Sequence, residues 1–274
     1  MTPGDFNLLS SLLKKRSGLV LTEDKTYLLE SRLIPVARKR GMSGIDDLVG
    51  AIRKNNDEQL LREVTEAMTT NESFFFRDTR PFELFEQTVL PQLLESRATR
   101  KSFRIWCAAC STGQEPYSLA MILEENAAKL KDWRVDIVGT DISTEVLEKA
   151  KAGLYSQFEV QRGLPIQMLV KYFSQVNELW QIDAGLRSMV QYRKANLLDD
   201  LSGLGTFDVV FCRNVLIYFD QETKADVLDR ISRIMPPDGF LFLGGAETVL
   251  GVTNKFKPVQ GMRGVYAVTD GSMH

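Results

Sequence analysis

The sequence predicts an α/β protein: a mostly parallel, doubly wound sheet, a small all-helical domain ahead of it and an antiparallel β-subdomain inserted within it. Three observations carry this reading. Residues 1 to 70 show helical periodicity and no strand signal. Beyond them, apolar strand runs alternate with helical runs, at Phe103 to Trp106, Trp133 to Asp141 and Phe207 to Cys212. Between 153 and 193 the alternation breaks, and the insertion is expected at about 160 to 192. The expected domains are therefore 1–70 and 71–274, with the insertion inside the second.

The first element to justify is Arg104 to Tyr117, Arg-Ile-Trp-Cys-Ala-Ala-Cys-Ser-Thr-Gly-Gln-Glu-Pro-Tyr. An apolar strand leads through small residues into a helix with Pro116 near its first turn. Ligands of open α/β sheets sit outside the carboxyl ends of the strands, where small side chains admit close backbone approach. The turn reads as a ligand cradle, yet it lacks the three glycines of a dinucleotide fingerprint and the Gly-Lys-Ser/Thr of a P-loop.

The helical domain follows from caps and stops. Asp5 is expected to cap a first helix ended by Gly18, and Asp24 a second one interrupted by Pro35 and closed by Gly41. Ser43 and Asp57 are expected to start two more. Residues 14 to 40 hold eight basic residues, Lys14, Lys15, Arg16, Lys25, Arg32, Arg38, Lys39 and Arg40, against Glu23, Asp24 and Glu30. This is either a solvated face or a docking face for an acidic partner.

In the second domain, Asp141 closes a strand at the cradle's edge, where it can accept ribose hydroxyls or cap the next helix. Leu179 to Ile182, a turn at Asp183 to Gly185, and Met189 to Tyr192 are expected to pair as a hairpin. Val209 to Phe211 ends at Arg213-Asn214, on the same carboxyl edge as Gly113 and Asp141. Gly239 to Gly245 and Val265 to Val268 supply closing strands.

Composition bounds the function. The 274 residues carry 34 basic and 36 acidic side chains, a net charge of -2, so no global field attracts nucleic acid. No apolar run reaches the roughly 18 residues of a membrane span, and the N-terminus lacks signal-peptide character; a cytoplasmic protein is expected. Cys107 and Cys110 form a C-x-x-C, but His274 is the only histidine, and buried structural thiols are expected rather than a redox or metal site.

Ser-Thr-Gly-Gln-Glu-Pro-Tyr-Ser at 111 to 118, Thr70-Asn-Glu-Ser-Phe-Phe-Phe-Arg77 and Phe211-Cys-Arg-Asn-Val-Leu-Ile-Tyr-Phe219 resemble the motifs of CheR-type chemotaxis receptor methyltransferases, in the family's order and over essentially the whole chain. The resemblance implies a class I S-adenosylmethionine (SAM)-dependent, Rossmann-like methyltransferase sheet, with SAM as cofactor and S-adenosylhomocysteine as its product. It implies that Asn71, Ser73, Arg77, Gly113 and Glu115 line the SAM site with Asp141, that Asn196 and Leu197 meet the adenine, and that Arg213 and Asn214 meet the methionine side. Arg77 and Tyr218 are then expected to orient an incoming glutamate carboxylate, Phe74 to Phe76 to form an apolar wall, and no metal to take part. The expected partners are cytoplasmic domains of methyl-accepting chemotaxis receptors, reached through the basic helices and the β-subdomain by a monomer. Some family members grip a receptor's C-terminal tail with that subdomain; the hairpin here is short beside theirs. Methyl transfer to a nucleic acid or small molecule, and a non-catalytic SAM-binding module, are the alternatives.

Overall fold

A computed structural model describes residues 1–54 and 57–269; His274 lies outside the described residues. The chain forms two compact units, Met1–Thr70 with Tyr218–Lys224, and Asn71–Ile217 with the residues from Ala225 on.

The first unit is built on α1 (Pro3–Ser17), α2 (Thr26–Lys39), α3 (Ile45–Lys54) and α4 (Glu58–Ala67). Leu9, Leu13, Leu29, Leu33, Leu48 and Val64 fill its core. The cap of α1 is Thr2, not Asp5: Asp5 stands three residues on and completes a capping box, its carboxylate accepting the Thr2 backbone N–H. Pro35 does not interrupt α2, which continues to Lys39. Asp57 caps α4 by accepting the backbone N–H groups of Gln59 and Leu60.

Residues Tyr218–Lys224, which the sequence places in the second domain, belong to this helical unit. Gly18 ends α1 with φ +75°, and a Cβ there would lie 2.9 Å from the Phe219 ring. Val20 N–H donates to the Tyr218 carbonyl at 3.0 Å, and Lys14 pairs with Asp220 at 2.6 Å.

The second unit begins with a helical stretch, α5 (Arg80–Leu84), a π-turn (Phe85–Val89) and α6 (Leu90–Ser96). Then come β1 (Ser102–Ala108), α7 (Gln114–Glu125), β2 (Arg134–Asp141), α8 (Thr144–Ala152), β3 (Leu154–Ser156), α9 (Gln157–Gln161) and α10 (Ile166–Tyr172). They are followed by β4 (Phe173–Val176), β5 (Leu179–Ile182), α11 (Ala184–Ser188), β6 (Val190–Lys194), β7 (Val209–Cys212), α12 (Gln221–Arg233), β8 (Phe240–Leu243), β9 (Phe256–Pro258) and β10 (Val265–Val268). The large sheet has the order β6-β2-β1-β7-β8-β10-β9; β6, β2, β1, β7 and β8 run parallel, and β10 is antiparallel to β8 and β9. The strand order reverses between β1 and β7, and that is the point of a doubly wound sheet where ligands bind.

The antiparallel insertion is a separate sheet, β3-β5-β4. The expected hairpin is corrected here. Leu179–Ile182 pairs with β4 across Asn177-Glu178, and Asp183 caps α11 instead of turning a hairpin. Val190–Lys194 joins the large sheet beside β2, because its Val190 and Tyr192 pack against that sheet's core. The subdomain therefore spans 154 to 182 rather than 160 to 192.

One glycine joins the insertion to the rest of the unit. Gly163 follows α9 with φ +83°, and a Cβ there would overlap the Phe75 carbonyl oxygen. Gly163→Ala is expected to lower stability by more than about 2 kcal/mol in thermal or urea denaturation, whereas Gly203→Ala, with open space around it, stays within about 0.5 kcal/mol.

Candidate active site

Strands β1, β2, β6 and β7 bring their carboxyl ends to one edge. The turn after β1 supplies Ser111 and Gly113, β2 ends in Asp141, β6 leads into Asn196 and Leu197, and β7 leads into Arg213 and Asn214. Ala195 N–H donates to the Asp141 carbonyl, which sets the start of the Asn196-Leu197 segment against β2. Leu197 is buried.

The cradle turn is held from behind. Gly113 has φ +95°, and a Cβ there would lie 2.8 Å from the Tyr192 hydroxyl and 3.1 Å from that of Tyr155. Tyr155 Oη donates to the Thr112 carbonyl at 2.8 Å, and Tyr117 Oη to that of Ala150 at 2.7 Å. Glycine is thus demanded here by a tyrosine cluster under the turn. Asp141 is buried, its Oδ2 accepting Ser111 N–H at 2.9 Å and its Oδ1 accepting Ser143 N–H at 3.0 Å.

The segment from Asn71 to Thr79 lies across this edge. Ser111 Oγ donates to the Asn71 carbonyl at 2.7 Å, and Phe76 N–H donates to Ser118 Oγ at 3.0 Å. Ser73 lies half-buried between them in the chain. The three phenylalanines do not form one wall. Phe75 is buried edge-on to Tyr155 and Phe173, Phe76 meets Phe82, and Phe74 alone carries Arg77, whose Cζ lies 5.4 Å from its ring centroid. Arg77 Nη1 donates to the Glu72 carbonyl at 2.9 Å.

Arg213 ties these loops together. Its Nη1 donates to Glu115 Oε2 at 2.9 Å, and its Nη2 donates to the Arg77 carbonyl at 2.8 Å and to Asp78 Oδ2 at 2.7 Å. Burial pushes the Glu115 carboxyl above its ordinary range, against the opposing pull of the Arg213 guanidinium. Six of the nine non-glycine residues with positive φ among the described residues are Phe76, Asp78, Thr79, Ala109, Ser111 and Asn214, all on these loops. Backbone strain concentrates where the surroundings fix it, as at ligand sites.

Two further residues escaped the sequence reading. Asp78 completes the Arg213 network, and Glu247 fixes the turn after β7. Glu247 Oε2 accepts N–H groups of Asn214 (2.8 Å) and Gly244 (2.7 Å), and its Oε1 those of Val215 (2.9 Å), Leu216 (2.7 Å) and Ile217 (3.3 Å). Its signal was available: a carboxylate just past a strand ending in Gly244-Gly245, in the manner of Asp141. Tyr218, next in the chain, belongs to the helical unit. The cysteines Cys107, Cys110 and Cys212 are buried, and burial pushes their thiols up.

Comparison with known proteins identifies the family. Residues 4–69 match the CheR methyltransferase all-alpha domain and residues 71–265 the CheR methyltransferase SAM binding domain. The chain belongs to the CheR methyltransferase family. It is similar to chemotaxis protein methyltransferase 1 of Pseudomonas aeruginosa, 43% identical over 267 residues that cover 95% of this chain and 96% of the relative. Chemotaxis protein methyltransferase Cher2 of Pseudomonas putida is 40% identical over 266 residues, 95% and 96% of the two chains. The chemotaxis protein methyltransferase of Salmonella typhimurium is 32% identical over 276 residues, 98% and 91%. SAM is accordingly the cofactor of this CheR-family protein. The residues present fit it: Asp141 sets a buried carboxylate at the end of β2, and Glu115 has an oxygen besides the one taken by Arg213.

Because Glu247 serves five backbone donors, Glu247→Ala is expected to cost at least about 3 kcal/mol, read as a lowered urea midpoint.

Proposed function

We propose that this protein transfers the methyl group of SAM to glutamate side chains of methyl-accepting chemotaxis receptors, forming methyl esters in the cytoplasm. The observation that carries the reading is the convergence of Arg77, Glu115, Asp141, Arg213 and Asn214 on loops at the β1/β7 edge of a CheR SAM-binding domain. The cofactor supplies a methyl on a sulfonium centre that is displaced in line by an oxygen nucleophile. A glutamate carboxylate, with a reference pKa of about 4.3, is already ionised at neutral pH and needs no general base. A site whose sequence offers no histidine near these loops suits that chemistry.

The proposed roles follow the positions. Asn71, Ser73, Gly113, Glu115, Asp141, Asn196, Leu197 and Asn214 hold SAM, and Arg213 keeps the Arg77 turn in place. Arg77 orients the acceptor carboxylate by charge-assisted hydrogen bonds, and the family resemblance assigns Tyr218 to the same task. Nη1 of Arg77 is committed to the Glu72 carbonyl, so its guanidinium presents only part of its fork. A one-sided contact orients the carboxylate without quenching its nucleophilicity.

The basic helices are proposed to dock the receptor, with a changed membership. Lys14 pairs with Asp220, Arg16 with Glu58, Arg40 with Asp57 and Glu63, and Arg32 holds the Met68 and Thr69 carbonyls. Lys14, Lys15, Lys25, Arg38 and Lys39 are exposed, and of these Lys14 is the one paired with Asp220. Arg38→Glu with Lys39→Glu is expected to raise the KM for receptor several-fold and leave SAM affinity unchanged, while Arg40→Glu lowers thermal stability instead.

The reaction is tested by incubating the protein with methyl-labelled SAM and receptor-bearing membranes, then adding mild base. Release of labelled methanol is expected; label that survives base would overturn the ester assignment. Tyr218→Phe is expected to lower kcat by about tenfold with the SAM Kd, measured by calorimetry, unchanged. Asp141→Asn is expected to weaken SAM binding by about tenfold; Ala is the poorer probe because it removes the acceptors of both Ser111 and Ser143, where Asn keeps one.

A further inference from the structure

Phe74 carries a second guanidinium besides that of Arg77. Arg162 Cζ lies 4.4 Å from the ring centroid and Arg77 Cζ 5.4 Å, so the two cations stand no more than about 10 Å apart on one aromatic platform. Glu72 touches both: its carbonyl accepts Arg77 Nη1, and its carboxylate accepts Arg162 Nη2 at 2.6 Å. Arg162 is delivered by a fixed loop, because Gly163 beside it is pressed against the Phe75 backbone and the Phe74 ring. Yet the ion pair itself is open to water, with side chains 40% exposed for Arg162 and 56% for Glu72.

A rigidly mounted arginine facing an exposed carboxylate suits exchange. An exposed pair of this kind contributes only about 0–1 kcal/mol, so replacing one carboxylate by another costs little. The aromatic platform keeps the guanidinium oriented while its partner changes. Resting on the functional reading above, we propose that Arg162 binds a second carboxylate of the acidic acceptor segment, next to the glutamate addressed by Arg77, and that Glu72 is the internal carboxylate it displaces. Arg162 thereby selects acceptors in which the target glutamate has an acidic neighbour.

This assignment predicts opposite effects for the two partners of one ion pair. In initial-rate assays of base-labile methylation with the full chain, Arg162→Ala raises the KM for receptor about tenfold, leaves kcat within about threefold, and leaves the SAM Kd unchanged. Arg162→Lys recovers part of the loss. Glu72→Gln lowers the KM about two- to threefold, since the competing carboxylate is gone. Raised KM in both Arg162→Ala and Glu72→Gln would make the pair a structural clasp and overturn the proposal, as would an unchanged KM in both. Thermal denaturation of each variant separates misfolding from altered binding. Wild-type protein that forms no base-labile ester would instead overturn the functional reading, and is distinguished before any variant is compared.

Discussion

Arg213 carries a guanidinium in a place with almost no water: its side chain is 1% exposed. A cation so placed must be neutralised and hydrogen-bonded from within the protein, or the fold carries the desolvation penalty of an unpaired charge. Glu115 from α7, Asp78 and the Arg77 carbonyl meet that demand at the two terminal nitrogens, with the buried Nε left unpaired, and they come from segments far apart in sequence. The helix start after β1, the turn after β7 and the 76–79 turn therefore hold their arrangement together. Such a network adds little to stability, because the desolvation of two charges largely offsets their attraction; its effect is to make one arrangement of three loops much better than any other.

The strained backbone at Phe76, Asp78 and Thr79 follows from the same constraint. Left-handed conformations at non-glycine residues cost on the order of 1–3 kcal/mol each and persist only where contacts over-determine them. Here Phe75 is sunk into the core, Phe76 N–H is held by Ser118, and the Arg77 carbonyl is held by Arg213. Side chains on that turn are consequently presented outward from a frame that does not relax, while the groups meant for exchange remain at the exposed rim.

The parallel strands other than β6 were legible in the sequence because they combine a continuous apolar run with a turn of small or polar residues, as in Ser102 to Gly113 and Val209 to Asn214. The carboxyl-edge residues were legible for the same reason, since a strand end fixes where the next residue lies. What failed were pairings set by tertiary contacts. Leu179–Ile182 and Val190–Lys194 both look like members of one hairpin, and only the burial of Val190 and Tyr192 against the large sheet's core decides that they separate. Asp78 and Arg162 escaped notice because their partners lie many tens of residues away in sequence. The basic count in residues 14 to 40 likewise overstated the unpaired positive charge, since charge composition does not reveal which arginines are spent on internal carboxylates.

The three cysteines have a practical meaning for solution chemistry. All lie on or beside the central strands, fully shielded, with thiols that burial keeps protonated at neutral pH. The thiolate is the form that reacts with peroxides, maleimides and haloacetamides, so the folded protein offers these reagents almost nothing. A single cysteine introduced at the surface would be the one reactive handle for a fluorophore or spin label, with no native thiol to remove first.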